Sequence, residues 1–286
     1  MRILLLGGSG QLGSDLIRCN PGHEILSPTH AELDVTDAER IRQTIHALRP
    51  QLVINCAAFH NVPLCEERPE QAFRVNCIAM RDLAAACEMA GAVLITFSSD
   101  YVFGGEKRSP YAEDDLPLPV QVYGITRLAG EHAALAAAPT RAVIVRTCGL
   151  YGAAGARSKG GNFVDGRVAD ARAGKTIKMA TDQTVGPTWT GDLAGAVHAL
   201  AAHPALTAGI YHLTNEGECT WYELTKAIIK ILGLPDNVVA VDLGGRSGAM
   251  RRPLYSVLAN NRARALGITL PHWHDALERY LRGKYG

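Results

Sequence analysis

The sequence predicts an α/β protein: a doubly wound parallel sheet followed by a smaller C-terminal α/β lobe. Three observations carry that expectation. Short apolar runs of strand type alternate with helical segments through the first half of the chain, the pattern of parallel strands joined by crossover helices. The first run, Arg2-Ile3-Leu4-Leu5-Leu6, breaks straight into Gly7-Gly8-Ser9-Gly10-Gln11-Leu12-Gly13, and helical spacing resumes at Ser14-Asp15-Leu16-Ile17. The alternation ends near Tyr151, and 286 residues leave room for a second lobe beyond it.

The opening string has a specific physical use. Gly7 permits a sharp turn off the strand, Gly10 lets main-chain N–H groups approach a pyrophosphate, and Gly13 lets the following helix pack closely on the sheet. The helix N-terminus offers unpaired N–H groups and partial positive charge to the same phosphates. The string therefore predicts a Rossmann-type lobe that binds a dinucleotide. Its Gly-x-x-Gly-x-x-Gly spacing points to the reductase and epimerase branch of such folds. The expected division is a dinucleotide-binding domain over 1–150, with 182–202 returning to it, and a substrate-binding lobe over 151–181 and 203–286.

The remaining elements follow in order. His23 to Ser27 reads as a second short strand, and Thr36 or Asp37 as the cap of a helix from Ala38 to Leu48 that Pro50 stops. Gln51 to Ala58 is a buried strand running into a small-residue turn. Pro69 to Cys87 reads as one long helix ended by Gly91, and Ala92 to Ser99 as the next strand. Glycines and prolines between Asp100 and Pro119 break any regular element. A helix then opens at Val122-Tyr123 and runs through Ala138, followed by a strand from Ala142 to Thr147. Beyond it come a glycine-and-basic loop from Ala153 to Gly161, a helix from Asn162 to Ala173, and irregular chain from Asp182 to Thr190. Helices are expected over Asp192 to Ala202, over Trp221 to Leu232 with Thr220 as N-cap, and over Trp273 to Leu281.

Composition excludes several classes. The formal charge is +1, with 47% hydrophobic and 20% charged residues, and no basic tract argues for nucleic acid. No stretch approaches the ~18–20 apolar residues that cross a bilayer, so no membrane role is expected. Cys19, Cys56, Cys65, Cys77, Cys87, Cys148 and Cys219 form no C-x-x-C pair, which suggests neither zinc nor a disulfide framework and fits a reducing cytoplasm. No metal site is expected. His198, His203, His212, His272 and His274 lack triad or metal-ligand spacing, whereas His60 lies beside the third strand.

Hydride transfer to a carbonyl needs a group that handles the oxygen's proton. Tyr123 and Arg127, four residues apart, share one helical face, and Ser99 ends the preceding strand. A tyrosine hydroxyl ionises near pH 10 unless a cation lies beside it, so Arg127 would bring it toward neutrality while Ser99 hydrogen-bonds the carbonyl oxygen. These three are the candidate catalytic residues.

With those residues in place, the chain resembles an extended short-chain dehydrogenase/reductase, most closely the dTDP-4-dehydrorhamnose reductase family. The blocks run nearly end to end: Gly7 to Gly13, Leu33-Asp34-Val35-Thr36-Asp37, Asn55-Cys56-Ala57-Ala58-Phe59, Val75-Asn76, Ser98-Ser99-Asp100-Tyr101-Val102-Phe103, Tyr123-Gly124-Ile125-Thr126, Leu128-Ala129-Gly130-Glu131, Arg146-Thr147, Asp182-Gln183, and Arg252-Pro253 with Ser256. The resemblance implies reduction of the 4-keto group of a dTDP-linked deoxy sugar by NADH or NADPH. It implies that Gly7, Gly10, Gln11, Leu12 and Gly13 meet the pyrophosphate, and that Asp34 and Val35 lie along the adenine. Ala57, Ala58, Phe59 and Asn76 would run beside the cofactor's middle, with Tyr123 and Arg127 at its reactive end. Ser99, Asp100, Phe103, Gln183 and Arg252 would contact the nucleotide sugar.

The chain departs from that family at several positions. Arg127 stands for a lysine, keeping the charge but unable to release a proton. Ser99 stands for a threonine, Cys148-Gly149-Leu150 lacks the family's substrate-stacking tryptophan, and His60 and Pro63 replace a threonine and an aspartate. At the second strand's end, Ser27-Pro28-Thr29-His30 offers neither an acid for a ribose diol nor an arginine for a 2′-phosphate, which leans toward NADPH or tolerance of both. Arg251-Arg252 would suit a substrate diphosphate or equally a solvated surface. Two rival functions stay open on the same fold: a nucleotide-sugar epimerase or dehydratase, with Asp100 as its acid, and a cofactor-binding regulatory subunit. A homodimer also stays open, since the sequence is silent on oligomeric state.

Overall fold

The computed structural model describes residues 1–155, 160–247 and 250–286. In chain order the first half comprises β1 (Arg2–Leu6), α1 (Gln11–Arg18), β2 (Glu24–Leu26), α2 (Ala38–Leu48), β3 (Leu52–Asn55), α3 (Val62–Glu67), α4 (Pro69–Phe73), α5 (Ala79–Ala90), β4 (Val93–Ser99), α6 (Val122–Ala137) and β5 (Ala142–Thr147). The rest comprises β6 (Leu150–Tyr151), α7 (Phe163–Arg172), β7 (Ile177–Ala180), β8 (Thr184–Val185), β9 (Thr188–Trp189), α8 (Thr190–Ala202), β10 (Gly209–His212), β11 (Cys219–Thr220), α9 (Trp221–Leu232), β12 (Val238–Val241), β13 (Arg246–Ser247), β14 (Met250–Arg251), α10 (Asn261–Ala265) and α11 (Trp273–Tyr285). Arg157 and Lys159 of the expected basic loop lie outside the described residues.

Six parallel strands in the order β10-β5-β4-β3-β1-β2 form the central sheet. The inner strands β1, β3, β4 and β5 are largely apolar because both faces are covered, with polar residues gathered at the carboxyl ends of β3, β4 and β5. Ile3 and Leu5 point into one core with Leu16, Leu193 and Val197, while Leu4 and Leu6 point into the other with Ile41, Leu83 and Ala134. That is the two-residue alternation of a strand read on both sides. The order reverses between β1 and β3, and the crevice for a ligand in an open α/β sheet lies at such a switch point, outside the strands' carboxyl ends.

Local signals set most boundaries. Asp37, not Thr36, caps α2 by accepting from the Arg40 N–H at 3.1 Å. Thr220 and Glu223 form a reciprocal capping box at α9, and Gly91 ends α5 in the left-handed region with φ 71°. A second core, built from Val164, Leu224, Ile228, Trp273 and Leu277, joins α7, α9 and α11. Among the described residues no helix is long and apolar enough to cross a membrane.

Three expectations need correction. The single helix over Pro69 to Cys87 is α4, then a π-helical turn over Arg74–Ile78, then α5. Helical periodicity continues across a π turn, so apolar spacing alone does not reveal one. α3 has no counterpart among the expected elements, none of which covers the stretch between Phe59 and Pro69; Asn61 caps it by accepting from the Leu64 N–H. Finally, β10 pairs with β5 as the sixth strand of the main sheet, and Leu213, Ala263, Ile268 and Leu270 enter the first core. The stretch 203–286 is therefore shared between the two halves. A four-residue strand carries too little alternation to announce its sheet.

Candidate active site

The glycine turn is built as a cradle. Gly7 has φ 75°, and a Cβ on it would press on the Cys56–Ala57 backbone at 2.9–3.0 Å. A Cβ on Gly13 would collide with the Gly7 carbonyl and the Gly8 backbone, so α1 approaches the turn only because that position has no side chain. Gly10 differs, since its Cβ would touch only the Gly7 oxygen at 3.2 Å and its other side is open. No side chain caps α1 and no acid stands in its first turn. This uncapped, electropositive end fits a pyrophosphate. The side chain of Leu12 is buried in the first core, so only its main chain faces the turn.

The neighbouring strand ends complete the crevice. Ala57, Ala58 and Phe59 leave β3 partly exposed. Asn76, on the π turn, is 1% exposed and its amide is fully engaged: it accepts from the Phe59 N–H at 2.9 Å and donates to the Phe59 carbonyl at 2.9 Å and Thr126 Oγ1 at 3.1 Å. It fastens the Phe59 segment to α6, so its side-chain amide acts on the crevice through that segment. Gly130 makes room for this, because a Cβ there would collide with the Asn76 carbonyl. Burial works against ionisation of Asp34, but hydrogen bonds from the Thr36 N–H and hydroxyl, with His30 and Arg74 nearby, hold its carboxyl below the usual range. Val35 is buried with Leu4, Leu6 and Ile41 in the core on one face of the central sheet and does not line the crevice with its side chain.

Tyr123 and Arg127 sit one turn apart on α6, 9% and 8% exposed. Arg127 Nε donates to the Tyr123 oxygen at 3.3 Å, and the guanidinium lies 5.5 Å from the ring centre. Gln121 starts the helix by accepting from the Gly124 N–H at 2.6 Å. Tyr101 connects this pair to the end of β4: its N–H donates to Ser99 Oγ at 3.1 Å, and its ring meets that of Tyr123 edge-on at 6.1 Å. Ser99 Oγ and Asp100 Oδ1 are 2.8 Å apart, and the Cys148 thiol donates to Asp100 Oδ2 at 3.0 Å. Burial pushes the Asp100 carboxyl above its ordinary value, partly opposed by hydrogen bonds from Ser256, Cys148 and Ser99. The Ser256 hydroxyl lies near this carboxyl, but among the described residues no partner meets hydrogen-bond geometry with it.

The substrate side is more mixed. Arg252 Nη1 donates to the Tyr101 hydroxyl at 2.9 Å, while its Nε, Gln183 Nε2 and Thr147 Oγ1 are buried without partners among the described residues. Such orphaned donors fit a polyhydroxylated ligand. Arg251 is exposed and stands apart from that cluster. Phe103 is not available to a substrate: it is fully buried, stacked on Tyr111 at 4.1 Å beneath the Arg146 guanidinium. Gly149 adopts φ 57° with Pro187 against it, so the turn that lacks a tryptophan has a backbone shape suited to glycine. His60 is half-buried, its Nδ1 3.3 Å from the Ala58 carbonyl. Two of the other histidines are buried ties within the fold: His198 Nε2 joins α8 to the Leu16 carbonyl of α1 at 2.9 Å, and His212 Nδ1 lies 3.1 Å from the Tyr111 carbonyl. Among the described residues no cluster of His, Cys, Asp or Glu could hold a metal ion.

Reading the residues missed Cys148 as a partner of Asp100 and missed the buried pair of Glu131 with Arg146, whose Nε and Nη2 reach the carboxylate at 2.9 and 2.6 Å. Both join residues far apart in the chain, and each was visible only as part of an unexplained block.

A phosphate-ready turn at a sheet's switch point and a tyrosine–cation helix packed over the next strand end define an oxidoreductase scaffold of the short-chain dehydrogenase/reductase type. Comparison narrows the class. The chain belongs to the family described as RmlD substrate binding domain, whose profile matches residues 1–285. It is 39% identical to a dTDP-4-dehydrorhamnose reductase of Streptomyces griseus, over 96% of this chain and 91% of that protein. It is 37% identical to a dTDP-4-keto-6-deoxy-D-glucose reductase of Streptomyces niveus, over 96% and 95%. Among solved structures it resembles the Bacillus anthracis dTDP-4-dehydrorhamnose reductase in complex with NADP, with a TM-score of 0.92, 32% identity and 99% of each chain covered.

Proposed function

We propose that this protein reduces the 4-keto group of a dTDP-linked 6-deoxy sugar with NADPH or NADH. The observation that carries the reading is the Arg127–Tyr123 pair held through Tyr101 to Ser99 at the carboxyl end of β4, in the sheet whose first strand runs into the glycine cradle. The nicotinamide, when bound, supplies hydride to the carbonyl carbon. Gly7, Gly10, Gln11 and the main chain of Leu12 hold the pyrophosphate, with Gly13 acting by close packing; Asp34 lies toward the adenosine and Ala57 to Phe59 flank the cofactor's middle. Ser99 hydrogen-bonds the carbonyl oxygen, and Tyr123 gives that oxygen its proton. Arg127 holds the Tyr123 oxygen through its Nε–H, without a proton of its own to pass on. Gln183 and Arg252 receive the sugar and its phosphates, while Asp100, engaged by Ser99 and Cys148, stands behind Ser99.

The division of labour follows the two cores, with the cofactor on the six-stranded sheet and the sugar nucleotide toward α7, α9 and α11. The seven thiols, none in a disulfide, support a cytoplasmic location. The test is direct: purified protein with NADPH and a dTDP-4-keto-6-deoxy sugar is expected to consume the reduced cofactor and form the 4-hydroxy product. Tight NADPH binding with no turnover would instead support a regulatory subunit, and product without net cofactor consumption an epimerase.

A further inference from the structure

Asp100 is a buried carboxyl without a counter-charge. It is 4% exposed, and among the described residues no cation pairs with it. Arg252, which reaches the same corner, is engaged by the Tyr101 hydroxyl. The groups around Asp100 are all neutral donors: the Ser99 hydroxyl in its own turn, the Cys148 thiol after β5, and the Ser256 hydroxyl from the segment after β14. Tyr101, and beyond it Tyr123 and Arg127 on α6, complete the titratable surroundings. Burial keeps the thiol of Cys148 and the phenol of Tyr101 protonated as well.

Counting hydrogens at Ser99 decides what this means. Its hydroxyl has one hydrogen and two lone pairs. One lone pair already accepts from the Tyr101 N–H. Were Asp100 ionised, it could only accept, and the single Ser99 hydrogen would be drawn to it across 2.8 Å, away from a substrate. We propose that Asp100 is a positioning residue that works as a neutral carboxyl, its O–H donating to Ser99 Oγ so that the Ser99 hydrogen is free for the substrate's carbonyl oxygen. Ser99 then accepts twice and donates once, and Asp100 Oδ2 accepts from Cys148. A carboxylate buried this deeply without a cation would cost several kcal/mol, which the proton removes. This role rests on the ketoreductase reading above.

The test uses Asp100→Asn in the full-length protein. The Cys148 thiol favours the amide oxygen on its side, leaving the amide N–H toward Ser99, so asparagine mimics the neutral acid and not the carboxylate. The variant is expected to keep kcat within roughly threefold of wild type, and the pH at which activity falls on the alkaline side is expected to move upward. The sign follows from the role: activity is present while Asp100 holds its proton and is lost as rising pH removes it. Infrared difference spectra of wild type against the variant, taken without substrate near neutrality, are expected to show the carbonyl stretch of a protonated carboxylic acid. A loss of about 100-fold in kcat with unchanged melting and NADPH affinity would overturn the proposal, as would a spectrum containing only carboxylate bands. If the protein reduces no 4-keto sugar, the functional reading fails, while the infrared band still decides the protonation of Asp100.

Discussion

Glu131→Gln isolates the interaction that anchors the tyrosine helix. Glu131 lies on α6, and its carboxylate takes both Nε and Nη2 of Arg146 from β5, with each side chain only 2% exposed. The amide replaces one of two buried opposite charges and leaves the guanidinium uncompensated, with its Nη1 already lacking a partner. Breaking such a pair costs about 3–5 kcal/mol, against a total stability of about 5–15 kcal/mol for a folded protein. For a chain of this size that corresponds to a fall in Tm of about 6–20 °C. The assay is reversible chemical or thermal unfolding followed by circular dichroism, with the double variant Glu131→Leu/Arg146→Met alongside. The double variant is expected to recover most of the loss, because it removes both desolvated charges. A loss below about 1 kcal/mol for Glu131→Gln, the range of exposed pairs, would refute the argument by showing that water reaches the pair.

Three further expectations are narrower. Arg127→Ala removes the cation beside Tyr123 and is expected to lower kcat/KM at least about tenfold while Arg127→Lys largely preserves it; equal rates for all three proteins would show that charge at this position is irrelevant. Ser27 follows β2 with its hydroxyl filling the space of a Gly8 side chain, so Ser27→Asp is expected to weaken NADPH relative to NADH by about tenfold in fluorescence-titrated Kd. An unchanged ratio would place the adenosine ribose elsewhere. His212 is held neutral, its pKa lowered to about 3 by burial and then by the Arg146 charge, while its Nδ1 donates to the Tyr111 and Ala259 carbonyls at 3.1 Å. The unfolded chain takes up this proton below about pH 6.5 and the folded chain does not, so stability present above that pH is lost as pH falls toward 3. In His212→Gln the acid limb of stability, measured by urea unfolding from pH 7 to 4, is expected to flatten; an unchanged slope would show that His212 protonates in the folded state.

Of the fold, the sequence alone determined the parallel sheet, its glycine turn and the register of most helices. Strand apolarity, helix caps and glycine stereochemistry are local properties, and each is readable within a few residues: Gly13 must be small wherever the rest of the chain goes, and Thr220 with Glu223 announces a helix start by itself. The candidate catalytic residues Tyr123, Arg127 and Ser99 were picked out for the same reason, as spacing on one helix face and a strand end, and the fold links them through Tyr101.

Tertiary structure alone decided which of the named residues are presented and which are buried. Phe103 and Val35 belong to conserving packing volume, and Asn76 to fastening a loop, because chain segments far away in sequence cover them. The placement of β10 in the main sheet, the pairing of Glu131 with Arg146, and the meeting of Cys148 with Asp100 are likewise decisions of the folded chain. A buried charge has no ordinary state until its neighbours are known, since desolvation and hydrogen bonding set it together. For Asp100 those neighbours come from three separate parts of the chain.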